Sequence, residues 1–169
     1  MKKIIVIGCP GSGKSTFSKA LHEITGIPLC HLDMLFWNAD KTAVEKAQFL
    51  DRLKTAMAPD QWIIDGNYAS TMELRMQACD TVIFLDYPTD ICLEGIRQRR
   101  GTVRSDMPWV ETEEDSEFLE FIKNFHTENR PQILTLLEKY GEKNICKFTT
   151  RTDADNFLTQ LRIRQEQSV

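Results

Sequence analysis

The residue types that could do chemistry crowd together between positions 8 and 16. Gly8-Cys9-Pro10-Gly11-Ser12-Gly13-Lys14-Ser15 fits the pattern G-x-x-x-x-G-K-[ST], and Thr16 follows. Those types at that spacing suit a polyphosphate. Backbone N–H groups can surround so dense a negative charge only where the chain wraps closely. Gly8, Gly11 and Gly13 supply backbone conformations barred to residues with a Cβ. Lys14 brings a compact cation to the β- and γ-oxygens, and the Ser15 hydroxyl suits Mg²⁺. Gly8, Pro10, Gly11, Ser12, Gly13, Lys14, Ser15 and Thr16 are therefore the candidate nucleotide-binding set. Lys14 is also a candidate catalytic group. Chance yields such a match in roughly one chain in a few hundred of this length.

Carboxylates and guanidinium groups supply the second layer. Asp33, Asp65 and Asp86 each close an apolar run. Asp33 could accept or orient a hydroxyl proton, or cap the next helix. Asp65 could organise a metal ion, or serve the turn before Gly66. Asp86, before Tyr87-Pro88, fits a structural turn as well as a site. Arg97, Arg99, Arg100 and Arg104 put four guanidinium groups within eight residues. Phosphoryl transfer spreads charge over equatorial oxygens, which arginines stabilise. The plainer alternative is a solvated helix end, where cations suit the macrodipole. One helix cannot face all of them inward. Glu111, Glu113, Glu114, Asp115, Glu117 and Glu120 read as a solvated face that favours a helix start. The alternative is that they pair with the arginines. Arg130, beside Pro131, fits a structural role better than a phosphate contact. His22, His31 and His126 have no spacing that suggests a metal site or triad.

These groups need elements to hold them. Residues 3–7 are apolar and β-branched, a strand. Residues 14–25 read as a helix with Phe17, Ala20, Leu21 and Ile24 on one face, so the glycine loop sits between strand and helix. Further strands are expected at 27–32, 61–64, 81–85 and 144–148. Helices are expected at 42–57, 70–78, 90–100 and 153–165, and a long one at 115–140 with an interruption at Pro131. Residues 101–114 lack periodicity and read as a loop. Strands alternating with helices predict a three-layer α/β/α fold with a five-stranded parallel sheet. Ligands in such sheets sit at the carboxyl ends of the strands. The glycine loop, Asp33, Asp65 and Asp86 all fall there.

Composition sets the bounds. A chain of 169 residues with 41% hydrophobic and 27% charged residues predicts a single domain with a substantial core. The net charge of −4 disfavours a whole-surface nucleic-acid binder, though it allows a local basic site. Cys9, Cys30, Cys79, Cys92 and Cys146 form no C-x-x-C pair, which predicts reduced thiols and a cytoplasmic setting. The apolar run behind Met1-Lys2-Lys3 is too short for a signal peptide, and no run approaches a membrane span. Oligomeric state is silent.

The residues quoted so far resemble the nucleoside-monophosphate-kinase-like branch of P-loop proteins. Gly8 to Thr16 matches the adenylate-kinase style of loop. Ile27-Pro28 with Asp33-Met34-Leu35 resembles the second strand and the start of the acceptor-binding helix. Asp65-Gly66 resembles the family's Asp-Gly motif, and Arg97, Arg99 and Arg100 lie where the family enters its lid. His31-Leu32-Asp33, Asp65-Gly66-Asn67-Tyr68, residues 81–86, Arg99-Arg100, Arg104-x-Asp106-Met107 and Arg130-Pro131 are also similar to the group of DNA topology modulation proteins (FlaR-like). That group's name implies a role in DNA supercoiling, which no residue here explains.

The resemblance implies roles and a departure. It puts the strand before Asp65 beside the first strand, so that Asp65 faces Ser15 and orients water on the metal. It puts Asp33 on the acceptor side and makes residues 101–114 a lid. Arg99, Arg100 and Arg104 become the candidate catalytic arginines. Adenylate kinases carry arginines for the acceptor phosphate where this chain has Phe36-Trp37 and Asn67-Tyr68-Ala69. An acceptor with a hydroxyl and less charge fits Asp33, Phe36, Trp37, Asn67 and Tyr68 better. The function expected is transfer of the γ-phosphate of Mg²⁺-ATP to a small molecule. The alternatives are a nucleotide-dependent regulator of DNA or protein and a slow NTPase. The loops carry no readable code for ATP over GTP. Trp109, in the lid, would report closure.

Overall fold

The computed structural model describes residues 1–167. β1 (Lys3–Gly8) is buried from Ile4 onward. Its run of β-branched side chains packs on both faces, as the centre of a parallel sheet requires. Strand order is β2-β3-β1-β4-β5, with β2 at Leu29–His31, β3 at Trp62–Asp65, β4 at Thr81–Leu85 and β5 at Asn144–Phe148. All pairings are parallel. The register places the site. Val6 lies opposite Asp65 and Asp65 opposite His31, so β2 and β3 deliver their last residues to one level, two residues before β1 ends at the glycine loop.

α1 (Lys14–Thr25) covers one face, with Phe17 and Leu21 buried. Phe17 meets Phe148 of β5 and Phe157 of α8 (Arg151–Glu166), which closes the core on that side. α4 (Ala69–Ala78), α5 (Thr89–Arg99), α6 (Ser116–Glu128) and α7 (Arg130–Lys139) complete the other connections.

Three boundaries differ from the sequence expectation. The strand expected at 27–32 is shorter, because Leu32 begins a one-turn helix, α2 (Leu32–Phe36). The helix expected from 42 starts later, as α3 (Lys46–Met57). Residues 38–44 instead form a turn, where Asp40 accepts from the Thr42 N–H and Trp37 bridges to Ala43. The long helix expected at 115–140 is two helices that break at Asn129. Pro131 sits in the first turn of α7, where its missing N–H costs nothing. Residues 101–114 contain no helix or strand, as expected. Among the described residues, no helix is long and apolar enough to cross a membrane.

Candidate active site

Lys14 spans the glycine loop from within. Its Nζ donates to the Gly8 carbonyl at 2.9 Å and the Cys9 carbonyl at 3.0 Å. Burial lowers its pKa, and the carboxylates of Asp65 and Asp33 work against that shift. Gly13 caps α1 in the left-handed region at φ 89 with no side-chain cap, so the first N–H groups of α1 stay available. The Ser12 hydroxyl is buried with no partner. Orphaned donors at an uncapped helix start are what an anion completes, so the loop fits a polyphosphate.

The loop is also shaped from outside. A Cβ on Gly11 would lie 2.0 Å from the Cys92 carbonyl oxygen, and one on Gly95 would lie 2.1 Å from the Gly11 oxygen. α5 therefore packs backbone to backbone on the phosphate loop. Arg151, first residue of α8, brings its Nη1 to 3.8 Å from where a Gly13 Cβ would stand.

Two carboxylates stand next to the loop, each held by a residue from another strand end. Both oxygens of Asp65 lie 2.9 Å from His31 Nδ1. Tyr68 donates its hydroxyl to Asp33 Oδ1 at 2.6 Å. Burial raises the Asp33 pKa, and the Tyr68 bond and the Lys14 charge offset part of that rise. Asp33 lies in the first turn of α2 and does not cap it; His31 holds the cap position without a side-chain bond. Arg75 is fully buried below this side and donates to the Gly66 and Tyr68 carbonyls. It fixes the backbone that presents Tyr68.

The lid arginines close on the acidic run. Arg99 Nη2 donates to Glu111 Oε1 at 2.9 Å. Arg104 grips both oxygens of Asp106 at 3.0 Å and also reaches Glu111. Arg100 pairs with Glu114. Arg97 points to solvent beside Glu94. Glu111 and Glu114 are thus partners of the arginines and not a free solvated face, which corrects the preferred expectation. Asp115 does serve the helix start, since it accepts from the Phe118 N–H. Burial alone would raise the Asp106 pKa, but hydrogen bonds from Arg104 and from the Ser15 hydroxyl bring it down to about 2. Asp106 therefore lies near the glycine loop.

Aromatic rings join the lid to the acceptor side. Phe36 meets Trp37 edge to face at 4.8 Å and Tyr68 at 4.8 Å, and Trp37 meets Trp109 of the lid at 5.2 Å. Phe36, Trp37, Tyr68 and Asp33 come together here, and Asn67 lies in the same loop as Tyr68. Asp86 stands apart: Arg130 holds both its oxygens and Lys147 one, in a cavity lined also by His126 and Thr149.

Sequence reasoning gave no role to His31, Gly95, Asp106 or Arg151, and kept the pairing of Glu111 with the arginines as the alternative. Gly95 alone left a local signal, a glycine inside a helical pattern. His31 acts across 34 residues, and Asp106 pairs with Arg104 only two residues away inside a segment without periodicity.

No family model and no curated protein sequence matches the chain. Solved structures do match. A shikimate kinase from Acinetobacter baumannii, in complex with shikimate, aligns with TM-score 0.62 at 13% identity, over 95% of this chain and 90% of that one. A shikimate kinase from Bacteroides thetaiotaomicron aligns with TM-score 0.56 at 20% identity, over 96% and 97%. A gluconokinase from Sinorhizobium meliloti aligns with TM-score 0.56 at 14% identity, over 98% and 92%. At these identities the shared property is the fold, a P-loop kinase fold with a five-stranded parallel sheet.

Proposed function

We propose that the protein transfers the γ-phosphoryl group of ATP to a hydroxyl of a small-molecule acceptor. The observation that carries this reading is the Asp33–Tyr68 pair beside Lys14. A carboxylate able to take a proton stands next to a loop built for phosphate. The fold shared with small-molecule kinases supports it.

The acceptor hydroxyl gives its proton to Asp33, and its oxygen attacks the γ-phosphorus. The bond from that phosphorus to the β-bridging oxygen breaks, and ADP leaves. Tyr68 keeps the carboxylate oriented. Lys14 exchanges its carbonyl partners for phosphate oxygens. Arg99 and Arg104 leave Glu111 and Asp106 for the charge that grows on the γ-oxygens. Ser15 and Asp65 would hold Mg²⁺, a hard cation suited to hydroxyl and carboxylate oxygens, which neutralises phosphate charge. Lid closure through Trp109 and Trp37 excludes water and limits hydrolysis.

The same lid bears on the nucleic-acid alternative. The basic footprint at Arg97–Arg104 is taken up by Glu94, Glu111, Glu114 and Asp106, which favours a small molecule over DNA. The further resemblance to DNA topology modulation proteins adds no step to this chemistry.

ADP release from Mg²⁺-ATP, measured against a panel of hydroxylated metabolites, tests the proposal. One acceptor should speed release, and Lys14→Ala should abolish the effect. If nothing speeds release while nucleotide still binds, the catalytic reading gives way to that of a nucleotide-dependent switch.

A further inference from the structure

The side chains around Asp33 also say what kind of acceptor fits, provided the phosphotransfer reading holds. Their charge is one-sided. Asp33 offers a carboxylate. Asn67 Oδ1 is buried and has no hydrogen-bond partner. Asp106 is close enough to push the Asp33 pKa further up. The walls are aromatic faces and edges: Phe36, Trp37, Tyr68 and, from the lid, Trp109.

Cations on this side are engaged elsewhere. Arg75 is buried against the carbonyls of Gly66 and Tyr68. Arg52 donates to the Leu35 carbonyl at 3.0 Å. Arg104 is held by Asp106 and Glu111. Lys14 belongs to the phosphate loop, and Arg99, held by Glu111, goes with Arg104 to the γ-oxygens in the proposed transfer. A carboxylate or phosphate on the acceptor would meet the carboxylates of Asp33 and Asp106 and the negative faces of rings. A cation would meet both as attraction, since a desolvated ammonium over aromatic faces gains roughly 2 kcal/mol. It would also answer the buried charge of Asp33, which has no basic side chain bonded to it.

We propose that the acceptor is an amino alcohol, with a protonated or quaternary nitrogen against Phe36, Trp37, Tyr68 and Trp109 and its hydroxyl on Asp33. Its hydroxyl oxygen forms the new bond to the γ-phosphorus, its proton passes to Asp33, and ADP carries away the electron pair of the broken bond. The nitrogen is untouched by the transfer; it anchors the substrate. Because Trp109 belongs to the lid and Trp37 does not, one cation contacting both rings would hold the lid shut over the reacting hydroxyl.

The test compares alcohols that differ in charge. Choline, ethanolamine and a phenyl-bearing amino alcohol form one group. The neutral carbon isostere of choline forms the second. Gluconate and shikimate, hydroxylated carboxylates, form the third. ADP release is measured with each, and tryptophan fluorescence is titrated with each in the absence of nucleotide. An amino alcohol should speed release at least about 10-fold over the neutral isostere, the factor that 1.4 kcal/mol gives. It should also quench fluorescence, and Trp37→Leu should remove that quench. If the isostere or a carboxylate is the better acceptor, the charge assignment falls while the kinase reading stands. If no alcohol of any charge speeds release, both fall together.

Discussion

The phosphate loop and the acceptor side share one rim of the sheet, yet they are assembled differently. Lys14 bonds to carbonyls five and six residues away, and the loop takes its shape from its own glycines and from the backbone of α5. On the acceptor side, Tyr68 and Asp33 are 35 residues apart, and His31 and Asp65 are 34 apart. There side chains from separate strand ends hold one another. On the proposed function, the loop would recognise what all nucleoside triphosphates share, for which backbone N–H groups suffice. The acceptor side would recognise one molecule, which needs particular side chains in particular pairs. A fold can therefore keep the first and vary the second.

The largest effect should come from the acceptor side alone. Asp33→Asn keeps the shape and a partner for Tyr68 but removes the base. Turnover should drop by about 10² to 10⁴, with ATP affinity unchanged. Burial holds the Asp33 pKa above its ordinary value of 3.8. Asp33 must be ionised to take a proton, so the rate should fall as pH drops through that raised value. Tyr68→Phe removes a bond that lowers the pKa and should move the acid limb to higher pH still. A pH–rate profile of the wild type beside Tyr68→Phe checks this. Loss of ATP binding in Asp33→Asn would mean that the two ends are one unit.

The reverse cut is made at Gly95. An alanine Cβ there would stand 2.1 Å from the Gly11 oxygen, so α5 or the loop must move. Overpacking of this kind costs about 1–3 kcal/mol. We expect ATP affinity to fall about 10- to 100-fold, while tryptophan fluorescence of the Trp37–Trp109 contact is kept. Nucleotide titration beside the emission spectrum decides it. Unchanged affinity would show that the loop does not depend on its packing against α5.

The same division governs what the sequence discloses. β1, the loop and α1 are consecutive, so pattern and local chemistry reveal them, and the expected helix at 14–25 matches α1 to the residue. Asp33 and Tyr68 could be named because both follow strands, but not as partners. Nothing near His31 signals that parallel register sets it beside Asp65. The acidic run looked like a solvated face because Glu111 finds Arg99 only when the lid folds back on itself. The start of α3 was misplaced because Asp40 and Thr42 form a turn that outcompetes the helix, as such side chains do when they bond nearby backbone.

Asp106 belongs to neither end and stands close to both. It lies in the 101–114 segment, takes the Arg104 fork and sits near both Ser15 and Asp33. Its pKa falls from the ordinary 3.8 to about 2 when the chain folds. A depressed carboxylate stabilises the fold at every pH above its unfolded value, and that stabilisation is lost as pH falls through the folded one. A shift of this size corresponds to about 2 kcal/mol. Urea unfolding of Asp106→Asn should therefore show a deficit of up to about 2 kcal/mol at neutral pH, shrinking between pH 3.8 and about 2 as the wild-type carboxylate protonates. A deficit that ignores pH would mean the lid is held by packing of Trp109 on Trp37 and not by charge. In that case the acceptor side alone would carry closure, and the loop would feel the lid only once nucleotide is bound.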